Sequence, residues 1–131
     1  MTKPTRILVV DDEPDTLGLI ELTLQTAGYK VHLAGGGIEG LQLARQLVFD
    51  IILLDIMMPD LSGFDVLRAL REDPGEHPPV IVLTAKNRPE DRDVGMSLGA
   101  IDYLGKPITR GNLLDAIQKA IDEESSTDAS S

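Results

Sequence analysis

Carboxylates and a lysine stand where short apolar runs of this sequence stop. Val9-Val10 leads into Asp11-Asp12-Glu13, the run 51–54 ends on Asp55, the run 80–83 ends on Thr84, and Tyr103-Leu104 precedes Lys106 by one glycine. If these runs are neighbouring strands, Asp11, Asp12 and Asp55 converge. Unit charges about 4 Å apart repel by about 4 kcal/mol at an effective dielectric of 20, so three such carboxylates call for a cation. Two or three carboxylate oxygens, with water or phosphate completing the shell, describe Mg²⁺ or Mn²⁺ better than zinc, and no Cys or His cluster competes. A carboxylate nucleophile, a cation, the Thr84 hydroxyl and the Lys106 ammonium around one crevice can hold a phosphoryl group, whose transfer is mainly positioning and charge stabilisation. Taken singly, each residue has an ordinary reading: Asp12 or Glu13 as a helix cap, Thr84 as a strand residue, Lys106 as a solvated charge. Their shared placement at strand ends argues for one site.

The elements that must position them follow from the hydrophobic pattern. Apolar, β-branched runs at 7–10, 31–34, 51–54, 80–83 and, more weakly, 103–104 alternate with longer amphipathic stretches, the signature of parallel strands joined by crossover helices. The third and fourth runs are continuously apolar, as strands covered on both faces should be. Leu17, Ile20 and Leu24 recur at helical spacing between Pro14 and a stop at Gly28. In a second helix over 38–46, Ile38 and Leu41, with Leu43 and Leu47, form the expected core stripe after the Gly35-Gly36-Gly37 turn. A third starts at Ser62 as N-cap and turns Phe64, Leu67 and Leu70 inward. The fourth, 89–98, is polar, with Val94, Met96 and Leu98 as anchors, and is expected to be the least firmly packed. The fifth carries Leu113, Leu114, Ile117 and Ile121. The folded domain is expected to span 1–124, with 125–131 a disordered tail or the start of a linker.

The 131 residues fit one α/β domain, and a net charge of −10, from 12 Lys and Arg against 22 Asp and Glu, disfavours direct nucleic-acid binding by this segment. Without cysteine there is neither a disulfide framework nor a thiol nucleophile. No apolar run approaches the roughly 20 residues needed to cross a bilayer, which sets a cytoplasmic expectation with no membrane association.

Four blocks in order, Ile7-Leu8-Val9-Val10-Asp11-Asp12-Glu13, Leu54-Asp55-Ile56-Met57-Met58-Pro59-Asp60-Leu61-Ser62-Gly63, Leu83-Thr84-Ala85 and Gly99-Ala100-Ile101-Asp102-Tyr103-Leu104-Gly105-Lys106-Pro107, resemble the receiver domains of two-component response regulators. The resemblance covers about residues 5–122. It implies a flavodoxin-like, doubly wound, three-layer (βα)5 fold with strand order 2-1-3-4-5. It implies Asp55 as phosphoacceptor and Asp11, Asp12, Asp55 and the Met57 backbone carbonyl as ligands of Mg²⁺, or of Mn²⁺. Thr84 and Lys106 would contact the phosphoryl oxygens, Tyr103 would be the switch aromatic, and the Lys106-Pro107 bond would be cis. Lys86 sits where the family varies. Such a protein is a signalling regulator that catalyses only its own phosphoryl transfer and slow dephosphorylation. Its partners would be a sensor histidine kinase or phosphotransfer protein, and a downstream protein or a detached output domain. The kinase, signal, output and phosphoryl lifetime stay open, as do monomer against phosphorylation-linked homodimer and a stand-alone regulator against part of a longer one.

Three rival readings can be weighed on particular positions. A phosphatase of the haloacid-dehalogenase type needs a second Asp two residues after the nucleophile, and Met57 stands there. A flavin carrier of the same strand order would find its phosphate repelled by Asp11-Asp12-Glu13. A non-phosphorylated pseudo-receiver would be expected to lack the acid pair, Asp55 or Lys106, all of which are present.

Overall fold

In the computed structural model, residues 3–75, 77–85 and 89–130 are described, with side chains to residue 123; Lys86 and Ser131 lie outside the described residues. The elements alternate as the pattern predicts: β1 (Arg6–Val10), α1 (Pro14–Thr26), β2 (Lys30–Ala34), α2 (Gly37–Gln46), β3 (Ile51–Asp55), α3 (Gly63–Glu72), β4 (Val80–Thr84), α4 (Pro89–Ser97), β5 (Asp102–Gly105) and α5 (Arg110–Ser130). All strands are parallel, in the order β2-β1-β3-β4-β5. Strand order therefore reverses between β1 and β3, where Val10 pairs with Leu54. That register sets Asp11 and Asp55 side by side just past the carboxyl ends of the two strands, which is where open α/β sheets bind ligands.

Alternate residues of the central strands feed two cores, because side chains along a strand point to opposite faces. Leu8, Val10, Ile52, Leu54 and Val82 pack with α2, α3 and Tyr103. Ile7, Val9, Ile51, Leu53, Ile81 and Leu83 pack with Ile20 and Leu24 of α1 and Leu113 and Ile117 of α5. Ser62 caps α3 as expected, its Oγ accepting from the Asp65 N–H at 3.2 Å.

Two local expectations fail in part. In α2, Ile38 is 52% and Leu47 36% exposed, while Leu41, Leu43 and Ala44 line the core. The inward face of this helix is built partly on glycine: a Cβ on Gly40 would sit 2.7 Å from Val10, and one on Gly37 would sit 2.6 Å from the Leu61 carbonyl oxygen. Leu41 and Leu43 face the core as expected, but an apolar stripe cannot register residues that have no side chain, so the sequence pattern wrongly adds Ile38 and Leu47. In α4, Val94 and Met96 are 38% and 42% exposed, and the buried residue is Gly95, beside the rings of Phe64 and Tyr103. Glycine again makes the contact expected of larger neighbours. The last helix, α5, runs to Ser130.

Candidate phosphoacceptor site

Four of the five strand ends, those of β1, β3, β4 and β5, deliver polar groups to this edge of the sheet. Asp11, Asp55 and Thr84 are buried at 0%, 2% and 0% exposure. Carboxylate oxygens of Asp11, Asp12 and Asp55 lie within 4.8 Å of one another. Past β5, the Lys106 N–H donates to the Thr84 carbonyl at 2.7 Å and the Lys106-Pro107 peptide is cis. From there the ammonium reaches into the acidic cluster: Nζ lies 2.7 Å from Asp11 Oδ2, 3.0 Å from Glu13 Oε1 and 3.2 Å from Asp55 Oδ2. The Asp11 contact is short but poorly directed, because Oδ2 accepts no well-formed hydrogen bond. It is best read as an ion pair.

Tight turns hold the carboxylates. Asp11 Oδ1 accepts from the Glu13 N–H at 2.9 Å, and Asp55 Oδ1 from the Met57 N–H at 3.1 Å. The loop after Asp55 folds back so closely that a Cβ on Gly63 would lie 2.4 Å from the Asp55 carbonyl oxygen, so only glycine fits there. Its far end is tied to α2 by Asp60, whose carboxylate accepts from Gly37 N at 3.1 Å and Ile38 N at 3.0 Å. These bonds hold the Asp60 carboxyl below the ordinary carboxylate range.

Burial pushes the Asp55 carboxyl up from its ordinary range; the Met57 N–H opposes this, Asp11 adds to it and Lys106 opposes it. Burial alone would lower Lys106, but its close contacts with Asp11 and Glu13 and the charges of Asp55 and Asp11 outweigh that and raise it. Tyr103 is 5% exposed and shares a side-chain hydrogen bond with Thr84; burial raises its phenol.

The described residues fit a divalent cation. Asp11, Glu13 and Asp55 share one ammonium, with the Asp12 carboxylate beside Asp11 and Asp55, leaving negative charge in excess, and a buried Asp11 oxygen lacks a directed donor. All side-chain donors are oxygens, the preference of a hard ion such as Mg²⁺.

The sequence expectation thus brings Asp11, Asp12, Asp55, Thr84 and Lys106 to one edge, with Tyr103 on Thr84. It missed two residues. Glu13 was read as a cap, yet at the N-cap of α1 its side chain makes no cap bond and turns to Lys106 instead. Asp60 carries no local signal, because its partners lie 22 and 23 residues away.

Comparison with known proteins agrees with this geometry. Residues 7–118 match the response regulator receiver domain family. The "Probable transcriptional regulatory protein TcrX" of Mycobacterium tuberculosis is 43% identical over 108 residues, covering 82% of this chain and 45% of that protein. The chain thus spans less than half the length of that relative. The chemotaxis protein CheY4 of Vibrio cholerae superposes with a TM-score of 0.84 at 34% identity, over 90% of this chain and 99% of that one. The receiver domain of the sensor histidine kinase PA1611 of Pseudomonas aeruginosa, solved with magnesium in its active-site cleft, superposes with a TM-score of 0.83 at 35% identity, over 91% and 98% of the two chains. No helix among the described residues is long and apolar enough to cross a membrane. With the family matched across the whole sheet and the acidic pocket at its switch point, the chain belongs to the response regulator receiver domain family, the phosphorylation switch of two-component signalling.

Proposed function

We propose that this chain accepts a phosphoryl group on Asp55 from the phosphohistidine of a sensor kinase or phosphotransfer protein, and that the modification remakes the face formed by α4, β5 and α5. The observation that carries the reading is the convergence of Asp11, Asp12, Asp55 and Lys106 at one crevice, with Thr84 at the neighbouring strand end.

An Asp55 oxygen forms the new P–O bond in line with the breaking N–P bond, and the electron pair leaves with the donor imidazole. Asp11, Asp12, Asp55 and the Met57 carbonyl would hold Mg²⁺, or Mn²⁺ in its place; when bound, such an ion neutralises charge on the transferred group and orients it. Lys106 moves from Asp55 Oδ2 onto a phosphoryl oxygen, supplying a mobile point charge. Thr84 donates its hydroxyl to another. Because Thr84 also bonds Tyr103, whose ring lies beside Gly95 of α4, its movement releases that ring and alters its packing on α4. Few buried contacts hold α4, so a small energy bias there changes the surface offered to a partner. The receiver catalyses only its own transfer and slow dephosphorylation, in a cytoplasmic setting. Its folded unit runs to about residue 124, and its output is a separate protein or a further domain.

A kinase-transfer assay tests this. Radiolabelled phosphohistidine donor should label the wild type and leave Asp55→Asn blank, while Lys106→Met should accept label without the α4 chemical-shift changes of the wild type. Labelling of Asp55→Asn at the wild-type rate would remove the assignment.

A further inference from the structure

Three carboxylates share the Lys106 ammonium, which has three N–H donors. Asp11 and Asp55 belong to the crevice. Glu13 does not: its side chain is 61% exposed, on the α1 side of the site. Its reach to Lys106 is nevertheless built. The Asp11 carboxylate fixes the Glu13 backbone through the 2.9 Å N–H bond, Pro14 follows immediately, and the side chain forgoes the α1 cap. The distances order the contacts: 2.7 Å to Asp11, 3.0 Å to Glu13 and 3.2 Å to Asp55, so the ammonium is farthest from the proposed nucleophile.

We propose that Glu13 is a positioning residue that draws the Lys106 ammonium toward α1 and keeps it from closing onto Asp55 before transfer. This rests on the phosphoacceptor reading. An ammonium seated fully on Asp55 would tie up the oxygen that must attack phosphorus and would pair with the charge that makes it nucleophilic. Sharing the ammonium with Glu13 weakens that hold while leaving Lys106 within reach of the incoming phosphoryl group. Since Glu13 is exposed, releasing it to water when Lys106 swings inward costs little, which buried Asp11 could not offer.

The test compares wild type, Glu13→Gln and Glu13→Asp in full-length protein, with acetyl phosphate as donor and Mg²⁺ present. An exposed pair of this kind predicts a fall of about two- to five-fold in the rate at saturating donor for Glu13→Gln. Glu13→Asp keeps the charge but is too short to reach Lys106, so its rate should fall similarly. The Asp55 carboxyl ¹³C resonance of the metal-free, unphosphorylated protein should shift in both variants as Lys106 closes in. If Glu13 acted only by repelling anionic donor, Glu13→Gln would lower KM at unchanged maximal rate and Glu13→Asp would match wild type; that result overturns the proposal. Unchanged rates with an unmoved resonance would overturn it too. Should the wild type itself take no phosphoryl group, the phosphoacceptor reading fails, while the Asp55 resonance still reports whether Glu13 governs the Lys106 position.

Discussion

Asp60 ties the loop that follows Asp55, the proposed phosphoacceptor, to a helix 22 residues upstream in sequence, and its removal has a calculable cost. Its carboxylate accepts from Gly37 N, Ile38 N and Leu61 N at 3.1, 3.0 and 2.9 Å. Gly36, at the N-cap position of α2, has no side chain to do this, so Asp60 serves as a cap supplied from another loop. Losing a cap costs about 1 kcal/mol, and losing an anion at a helix N-terminus a further ~0.5 kcal/mol, with water recovering part because the site is exposed. Asp60→Ala should therefore destabilise by about 1 kcal/mol, and Asp60→Asn, which keeps an acceptor but no charge, by about half that. For a domain of this size the first corresponds to a Tm lower by roughly 4 °C. Because the folded carboxyl titrates below the unfolded one, its contribution is present above the ordinary carboxylate pKa and is lost as pH falls through the depressed value. The stability gap between wild type and Asp60→Asn should accordingly close on acidification below about pH 4. Urea denaturation across pH checks both. A gap under about 0.3 kcal/mol for Asp60→Ala at neutral pH, or a gap between wild type and Asp60→Asn that persists in acid, would refute the cross-loop cap.

Other outcomes follow from single positions. Asp55→Asn should raise Tm at neutral pH: burial raises this carboxyl when folded, so its contribution favours the fold below the unfolded pKa and is lost as pH rises through the folded value. That advantage should shrink in acid, as thermal scans across pH would show. Gly18 is exposed within α1 and a Cβ there meets nothing within 4 Å, so Gly18→Ala should stabilise by about 0.5–1 kcal/mol in urea titration. Truncation after Glu124 should leave phosphorylation intact, since the helix packs through Leu113, Ala116, Ile117 and Ala120; unfolding on truncation would move the domain boundary.

What the sequence made legible divides along a physical line. Strands were plain because β3 and β4 are buried on both faces and their composition says so without context. The polar edge was plain because its residues stand at or within two positions of the ends of apolar runs. Helix faces built from glycine were not: Gly40 against Val10 and Gly95 against Tyr103 make contacts by lacking atoms. Glu13 and Asp60 were hidden for another reason, since their partners, Lys106 and the first turn of α2, lie far off in sequence and only the folded sheet brings them near. A charged residue at a helix start reads locally as a cap, and in Glu13 that local role is given up to a partner 93 residues away.

The most direct measurement is intact-protein mass after incubation with acetyl phosphate, with and without Mg²⁺, on wild type and Asp55→Asn. The account predicts a gain of one phosphoryl group in the wild type only when Mg²⁺ is present, and no gain in Asp55→Asn under any condition. An unchanged wild-type mass with Mg²⁺ present, or the same gain in Asp55→Asn, would contradict it.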